Sequence, residues 1–128
     1  MNHLLLPLLA SITFAESVFA SLPVVFIENC YDGDTCQTIN GEKIRLACID
    51  TPELKGRKAN IIPATKARDF LNNLVANREV SIRRITFDRY GRTVAELIKD
   101  EENIQELIVK NGFGKIYRKY SHQCEWSS

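Results

Sequence analysis

Two Asx-Gly dipeptides, Asp32-Gly33 and Asn40-Gly41, limit what this chain can build more than any other feature. Runs rich in apolar and β-branched residues flank them: "LPVVFIENC" before the first, "TCQTI" between, "EKIRLACID" after the second. Asp-Gly and Asn-Gly tolerate the backbone of tight hairpins, so the three runs read as consecutive antiparallel strands. The stretch "ELKGRKANI" breaks that pattern as an exposed basic loop with Lys55, Arg57 and Lys58. Pro63 suits a first helical turn, and "ATKARDFLNNLVA" places Ala67, Phe70, Leu71 and Leu74 on one stripe. The strands "EVSIRRITF" and "RTVAELIKD" follow, joined by the turn "DRYG". Asn103 is placed to cap a short amphipathic helix, "IQELIVKN", that Gly112 stops, and "FGKIYRKY" reads as a last extended piece. Three meandering strands, a helix, two strands and a closing helix is the order of a five-stranded Greek-key β-barrel with helices (α+β), the OB type.

The length of 128 residues fits one domain with its own core, and a formal charge of +1 by itself selects no partner. The amino terminus reads as a targeting segment. "LLLPLLASITFA", Leu4 to Ala15, is too short to span a bilayer, and "VFA", Val18 to Ala20, suits signal peptidase. Residues 1–20 are therefore expected to be a signal peptide cleaved after Ala20. Residues 21–128 would be the mature domain, secreted or periplasmic, monomeric and with no membrane partner. Cleavage removes Glu16 and no Lys or Arg, so the charge rises to +2.

Export gives the four cysteines a meaning, because an oxidising compartment favours bridges over free thiols. Cys30 and Cys36 lie three residues either side of Gly33, so a turn there makes them opposed cross-strand partners. By elimination Cys48 would pair with Cys124. Zinc is disfavoured: the chain has no Cys-x-x-Cys spacing, and His122 is its only histidine after Ala20.

The acidic residues carry the chemistry. Asp34 starts the second strand and "IDTPE" ends the third, which puts Asp34 and Asp50 at one rim of a barrel. Two carboxylates with a main-chain carbonyl, that of Thr51 beside Pro52, make a hard-oxygen site suited to calcium. Arg45 is five residues before Asp50, an odd separation that needs a bend near Cys48 or Ile49 to bring both to one site. Arg92 enters from the turn "DRYGR", and Glu53 is a third carboxylate without an assigned ligand role. Phosphodiester hydrolysis requires these parts: a cation on a nonbridging oxygen, a base for water, and forked donors for the oxyanion.

"DGDT", "IRLACIDTPE", "DRYGR" and "NIQELIVKNGFGKIY" together resemble the staphylococcal nuclease (thermonuclease) family in order and spacing, from about Val24 to Tyr120. The resemblance implies an OB-fold, calcium-dependent nuclease that cleaves DNA and RNA with little sequence preference. It makes Asp34, Asp50 and the Thr51 carbonyl calcium ligands and Arg45, Glu53 and Arg92 the catalytic trio. Asp32 would support the ligand shell, and Tyr90 would contact a nucleotide phosphate. The chain departs from the family in four places. The Asn40-Gly41 hairpin and the basic loop are shorter, and "SHQCEWSS" stands where the family has a long helix. Arg118 occupies the place of a second nucleotide-contacting tyrosine, with Tyr117 and Tyr120 as neighbouring substitutes. A different reading stays open beside this one: a noncatalytic OB module that binds single strands through basic loops and aromatics.

Overall fold

A computed structural model describes residues 21–128, and the expected signal peptide lies outside the described residues. The first three strands are β1 (Val24–Asp32), β2 (Thr35–Thr38) and β3 (Lys43–Leu46), followed by a two-residue strand β4 (Ile49–Asp50). Helix α1 (Ile61–Val75) leads to the long antiparallel pair β5 (Arg78–Phe87) and β6 (Thr93–Lys99). After β7 (Glu102–Asn103) come helix α2 (Ile104–Lys110), β8 (Lys115–Ile116) and two 3-10 turns, Arg118–Gln123 and Glu125–Ser127. The sheet runs β3-β2-β1-β5-β6-β7, and parallel pairing of β3 with β6 closes five of these strands into a barrel. The expected OB-type barrel is therefore present.

The strands are positioned by packing and by a few buried polar groups. Ile27, Ile44, Leu46, Ile82 and Leu97 fill the barrel, and α1 closes one end with Ala64, Ala67, Leu71 and Val75. Phe70 and Leu74, expected on the stripe, are only partly buried at its edge. Asn72 on α1 pins the irregular middle of β1: it accepts from the Cys30 amide at 2.8 Å and donates to the Cys30 carbonyl at 2.9 Å. Gln105, fully buried on α2, reads both main-chain groups of Leu97 in the same way. The doubled arginine of β5 coincides with a register shift between Arg84 and Thr86, which explains why Ile85 leaves the simple alternation.

Both expected disulfides are formed. Cys30 is the cross-strand partner of Cys36 and is bonded to it, and Cys48 is bonded to Cys124. The second spans 76 residues, a loop long enough for about 4 kcal/mol in the chain-entropy account. A polar knot reinforces it. Buried Glu96 accepts from Arg83 at 2.7 Å, Asn103 at 3.1 Å and the Trp126 indole at 3.0 Å, tying the tail to the barrel wall. Only Lys115 and Ile116 of "FGKIYRKY" are extended; from Arg118 the chain winds into 3-10 turns, because Cys124 must turn back to reach Cys48. Among the described residues no helix is long and apolar enough to cross a membrane.

Candidate active site

Asp34 follows Gly33 in the β1–β2 turn and is only 7% exposed. Its amide donates to Asp32 Oδ1 at 3.0 Å, so Asp32 fixes the turn by a local bond. Gly33 earns its place by space rather than by φ. A Cβ there would lie 2.7 Å from the Ala67 Cβ and 2.9 Å from Thr51 Oγ1, so a side chain would push α1 or Thr51 away. Gly114 crowds Thr51 from the other side, where an added Cβ would meet Thr51 Cγ2 at 2.9 Å and the Asp50 carbonyl at 3.0 Å. Thr51 is gripped between two glycines.

These contacts converge on the Asp34 carboxylate. Arg45 Nη2 approaches Asp34 Oδ2 at 3.2 Å, the Thr51 amide donates to the same oxygen at 3.3 Å, and the Thr35 hydroxyl donates to Oδ1 at 3.2 Å. Arg45 is itself aimed by a bond from Nη1 to the Leu46 carbonyl at 2.6 Å. The bend that Arg45 and Asp50 require is at Cys48, whose φ of 68° separates β3 from β4. Cys48, bonded to Cys124 and accepting from the Tyr117 amide at 2.8 Å, adopts a left-handed conformation that a non-glycine side chain disfavours.

Burial pushes the Asp34 carboxyl up to about 7, with Arg45 working against the rise and the neighbouring Asp32 adding to it. One guanidinium does not offset the burial of this carboxylate. Asp88, on the opposite side, moves the other way. Burial opposes the shift, but bonds from the Arg92 amide and guanidinium and from the Tyr90 amide hold its carboxyl below the usual range. Arg92 Nε sits 2.7 Å from Asp88 Oδ2, and its guanidinium carbon is 5.4 Å from the centre of the Tyr90 ring.

Asp32, Asp34, Arg45, Asp50, Thr51, Glu53, Tyr90 and Arg92 all line one groove of about 1340 Å³ on the barrel rim. Glu53 is exposed there at the start of a loop whose ends are joined by the Asn60 amide and the Glu53 carbonyl, 2.8 Å apart. Among the described residues its carboxylate has no hydrogen bond or ion pair. Lys55 and Lys58 of the basic loop reach the same groove, and Arg57 does not line it. Tyr117 and Tyr120 line it as well, packed edge to face at 5.1 Å, whereas Arg118 does not. Two tyrosine rings therefore line the groove beside Arg118, which takes the place of the family's second tyrosine in the resemblance.

Sequence reasoning passed over other lining residues: Tyr31, Arg68, Phe87, Arg89, Lys119 and Gln123. Phe87 is 73% exposed, which is costly for an unpartnered aromatic ring and was visible as an apolar residue immediately before a polar turn. Arg68 and Lys119 carried no such signal, because only the folding of α1 and the tail onto the rim brings them there.

The donor set suits a hard cation: two carboxylates, a main-chain carbonyl and room for water. The Thr51 hydroxyl is buried without a partner, an unsatisfied polar atom at the same place. Among the described residues no three His, Cys, Asp or Glu side chains gather around one point, so a cation would rest on Asp34, Asp50 and oxygen donors other than a third carboxylate.

Residues 43–127 match the family described as staphylococcal nuclease homologue. The match takes in Arg45, Asp50, Thr51, Glu53, Tyr90 and Arg92; Asp32 and Asp34 precede it on the hairpin that completes the barrel. The chain is 38% identical over 95 residues to an uncharacterized endonuclease of Haemophilus influenzae, covering 71% of this chain and 51% of that protein. It is 29% identical over 112 residues to Endonuclease YncB of Bacillus subtilis, covering 80% of this chain and 52% of the relative. Staphylococcal-like nuclease CAN1 of Arabidopsis thaliana is 33% identical over 84 residues, with 65% of this chain and 24% of the relative covered. The chain thus spans about half the length of the bacterial relatives and about a quarter of the plant one. With the motifs on one groove and the match over most of the barrel, the chain belongs to the staphylococcal nuclease family.

Proposed function

We propose that the chain is a calcium-dependent nuclease that hydrolyses phosphodiester bonds in DNA and RNA with little sequence preference. The observation that carries this reading is the convergence of two arginines, the free carboxylate of Glu53, the buried carboxylate of Asp34 and the half-buried one of Asp50 on one open groove. Asp34, Asp50 and the Thr51 carbonyl would hold the ion. Bound calcium supplies positive charge at a nonbridging phosphate oxygen and polarises water.

The remaining steps belong to the chain's own groups. Glu53, exposed and free of partners, accepts a proton from the attacking water as its oxygen bonds to phosphorus. One ester P–O bond breaks, the departing oxygen takes a proton from solvent water, and Glu53 returns its proton to solvent. Arg45 and Arg92 keep their charge at any working pH, so they act as forked donors to a phosphate gaining negative charge. The aromatic rings and flexible-ended lysines of the groove contact base faces and backbone without reading base edges, which supports low sequence preference. The two disulfides support export, with residues 1–20 as a cleaved signal and a monomeric mature enzyme outside the cytoplasm.

The test is a digest by residues 21–128 of plasmid, single-stranded DNA, RNA and a chromogenic phosphodiester, with calcium, magnesium or chelator. Calcium-dependent cleavage of all three nucleic acids is expected, with Glu53→Gln folded but strongly impaired. Full activity in chelator would overturn the metal assignment, and cleavage of the small diester alone would overturn the nucleic-acid assignment.

A further inference from the structure

A second groove, of about 550 Å³, meets the first at Asp50, Thr51, Glu53 and Lys58. It leaves that junction between the start of α1 and the segment Gly112–Lys115. Among the described residues its only acidic ones, Asp50 and Glu53, are at the junction, and the added charged residues are Lys66 on α1 and Lys115 on β8. Both lysines are exposed and, with Lys58, make no ion pair among the described residues. Lys115 is the cross-strand partner of Asp50, so the lysine row starts beside the residue that would hold the ion. The first turn of α1, with no acidic residue, adds positive sign at the same wall. Pro63 and Phe113 supply apolar wall between the charges.

This arrangement fits a polyanion with apolar units between its charges. A strand whose phosphate lies at the junction must continue in both directions. The larger groove takes one direction, past Arg89, Lys119 and the tyrosines; Lys58, Lys66 and Lys115 mark the other. We propose that the second groove is a backbone-binding subsite for single-stranded nucleic acid beyond the scissile phosphate, so that an uninterrupted strand threads both grooves and is cut internally. The subsite rests on the nuclease reading for its purpose, and its binding can be measured without cleavage.

The experiment compares wild type with Lys66→Gln/Lys115→Gln and with a charge-matched control, Lys43→Gln/Lys110→Gln, whose residues line neither groove. Binding of a labelled 14-nucleotide single strand and of a dinucleotide is followed by anisotropy in chelator across a salt series. Each phosphate contact on a single strand contributes about 0.7 to the slope of log affinity against log salt, so the groove variant should lose about 1.4 on the long strand. The dinucleotide and the control variant should show no such loss. In calcium, KM for the long strand should rise several-fold with kcat unchanged. An unchanged slope on the long strand would overturn the subsite. An equal loss on the dinucleotide would overturn it too, because the lysines would then act at the junction alone. If the wild type bound the long strand with the expected slope difference but cut nothing, the subsite would stand and the nuclease reading would fall.

Discussion

The two sides of the main groove are held by opposite kinds of contact. On one side, Asp34 and Thr51 meet across 17 residues of chain, Arg45 reaches Asp34 from the next strand, and Cys48 is bonded to Cys124 across 76. On the other, Asp88 binds the amides of Tyr90 and Arg92 and the Arg92 guanidinium, all within a single turn. The first side is buried and fixed by the whole barrel; the second stands out from the end of β5, with Tyr90 67% exposed. On the proposed function, a site divided in this way would keep the ledge that holds the ion rigid while a cationic arm adjusts to the arriving phosphate.

The sharpest way to break that contrast is to remove the fork from each arginine. Losing one donor to a developing oxyanion commonly costs about a hundredfold to a thousandfold in rate. Arg45→Lys and Arg92→Lys should each lower kcat by that order, since lysine is a point charge without the planar pair of donors. They should differ in stability. Arg45→Lys weakens contacts to Asp34 and the Leu46 carbonyl inside the ledge and should lower the Tm by several degrees. Arg92→Lys releases only a local turn and should leave the Tm within a degree or two. Equal Tm losses measured by calorimetry would show that the arm is as integral to the fold as the ledge.

The burial of Asp34 gives the ledge a second signature. Its folded carboxyl titrates near 7 without a cation, above the ordinary value of an unfolded aspartate, so the folded state holds the extra proton. For an acid shifted upward, the stabilising contribution is fully present below the unfolded pKa and is lost as pH rises through the folded one. In chelator, Asp34→Asn should therefore be more stable than wild type at pH 8 and gain nothing at pH 4. Calcium should reverse the order at pH 8, because only the carboxylate binds it well. The arm has the opposite sign: Asp88, held below its usual range, contributes stability that is lost only on acidification. Thermal melts of both proteins at four pH values, with and without calcium, check this. A wild-type advantage at pH 8 in chelator would show that Arg45 fully offsets the burial.

The same division decides what the sequence disclosed. The arm was legible because Asp88, Tyr90, Gly91 and Arg92 are consecutive or nearly so, and turn chemistry acts at that range. The strand order was legible from two Asx-Gly turns, and the Cys30–Cys36 pairing from its symmetry about one of them. The ledge was legible only in part. Asp34, Asp50 and Arg45 were named, and the odd spacing of Arg45 and Asp50 called for a bend near Cys48 or Ile49; that it is a positive φ at Cys48 no local turn signal marks. Gly33 looked like a turn residue, yet its role is to let α1 and Thr51 approach, a contact 18 residues or more away in the chain. Asn72 and Gln105, which bind main-chain groups of distant strands, carried no signal within an otherwise ordinary helix pattern.

Phe87 offers the smallest and most local test of the contrast. It ends β5 immediately before the Asp88 turn, 73% exposed, and lines the groove alongside Tyr90 and Arg92. The ring is outside both apolar clusters of the barrel, so its removal should barely change stability. Base stacking on an aromatic ring is worth about 1–3 kcal/mol by truncation, which corresponds to roughly fivefold to a hundredfold or more in affinity. Phe87→Ala should therefore weaken binding of a single strand by about that factor. Phe87→Tyr should retain most of the affinity, since a second ring keeps the stacking face. The effect should be the same for every base composition, because every base has a face to stack, and small for duplex, whose bases are already stacked on one another. Anisotropy titrations of single-stranded and duplex oligonucleotides, with Tm measured in parallel, separate the outcomes. Loss of Tm with binding preserved would make Phe87 part of the barrel wall. Equal loss on duplex and single strand would mean that it supports the turn that carries Arg92, and that the arm depends on packing as the ledge does.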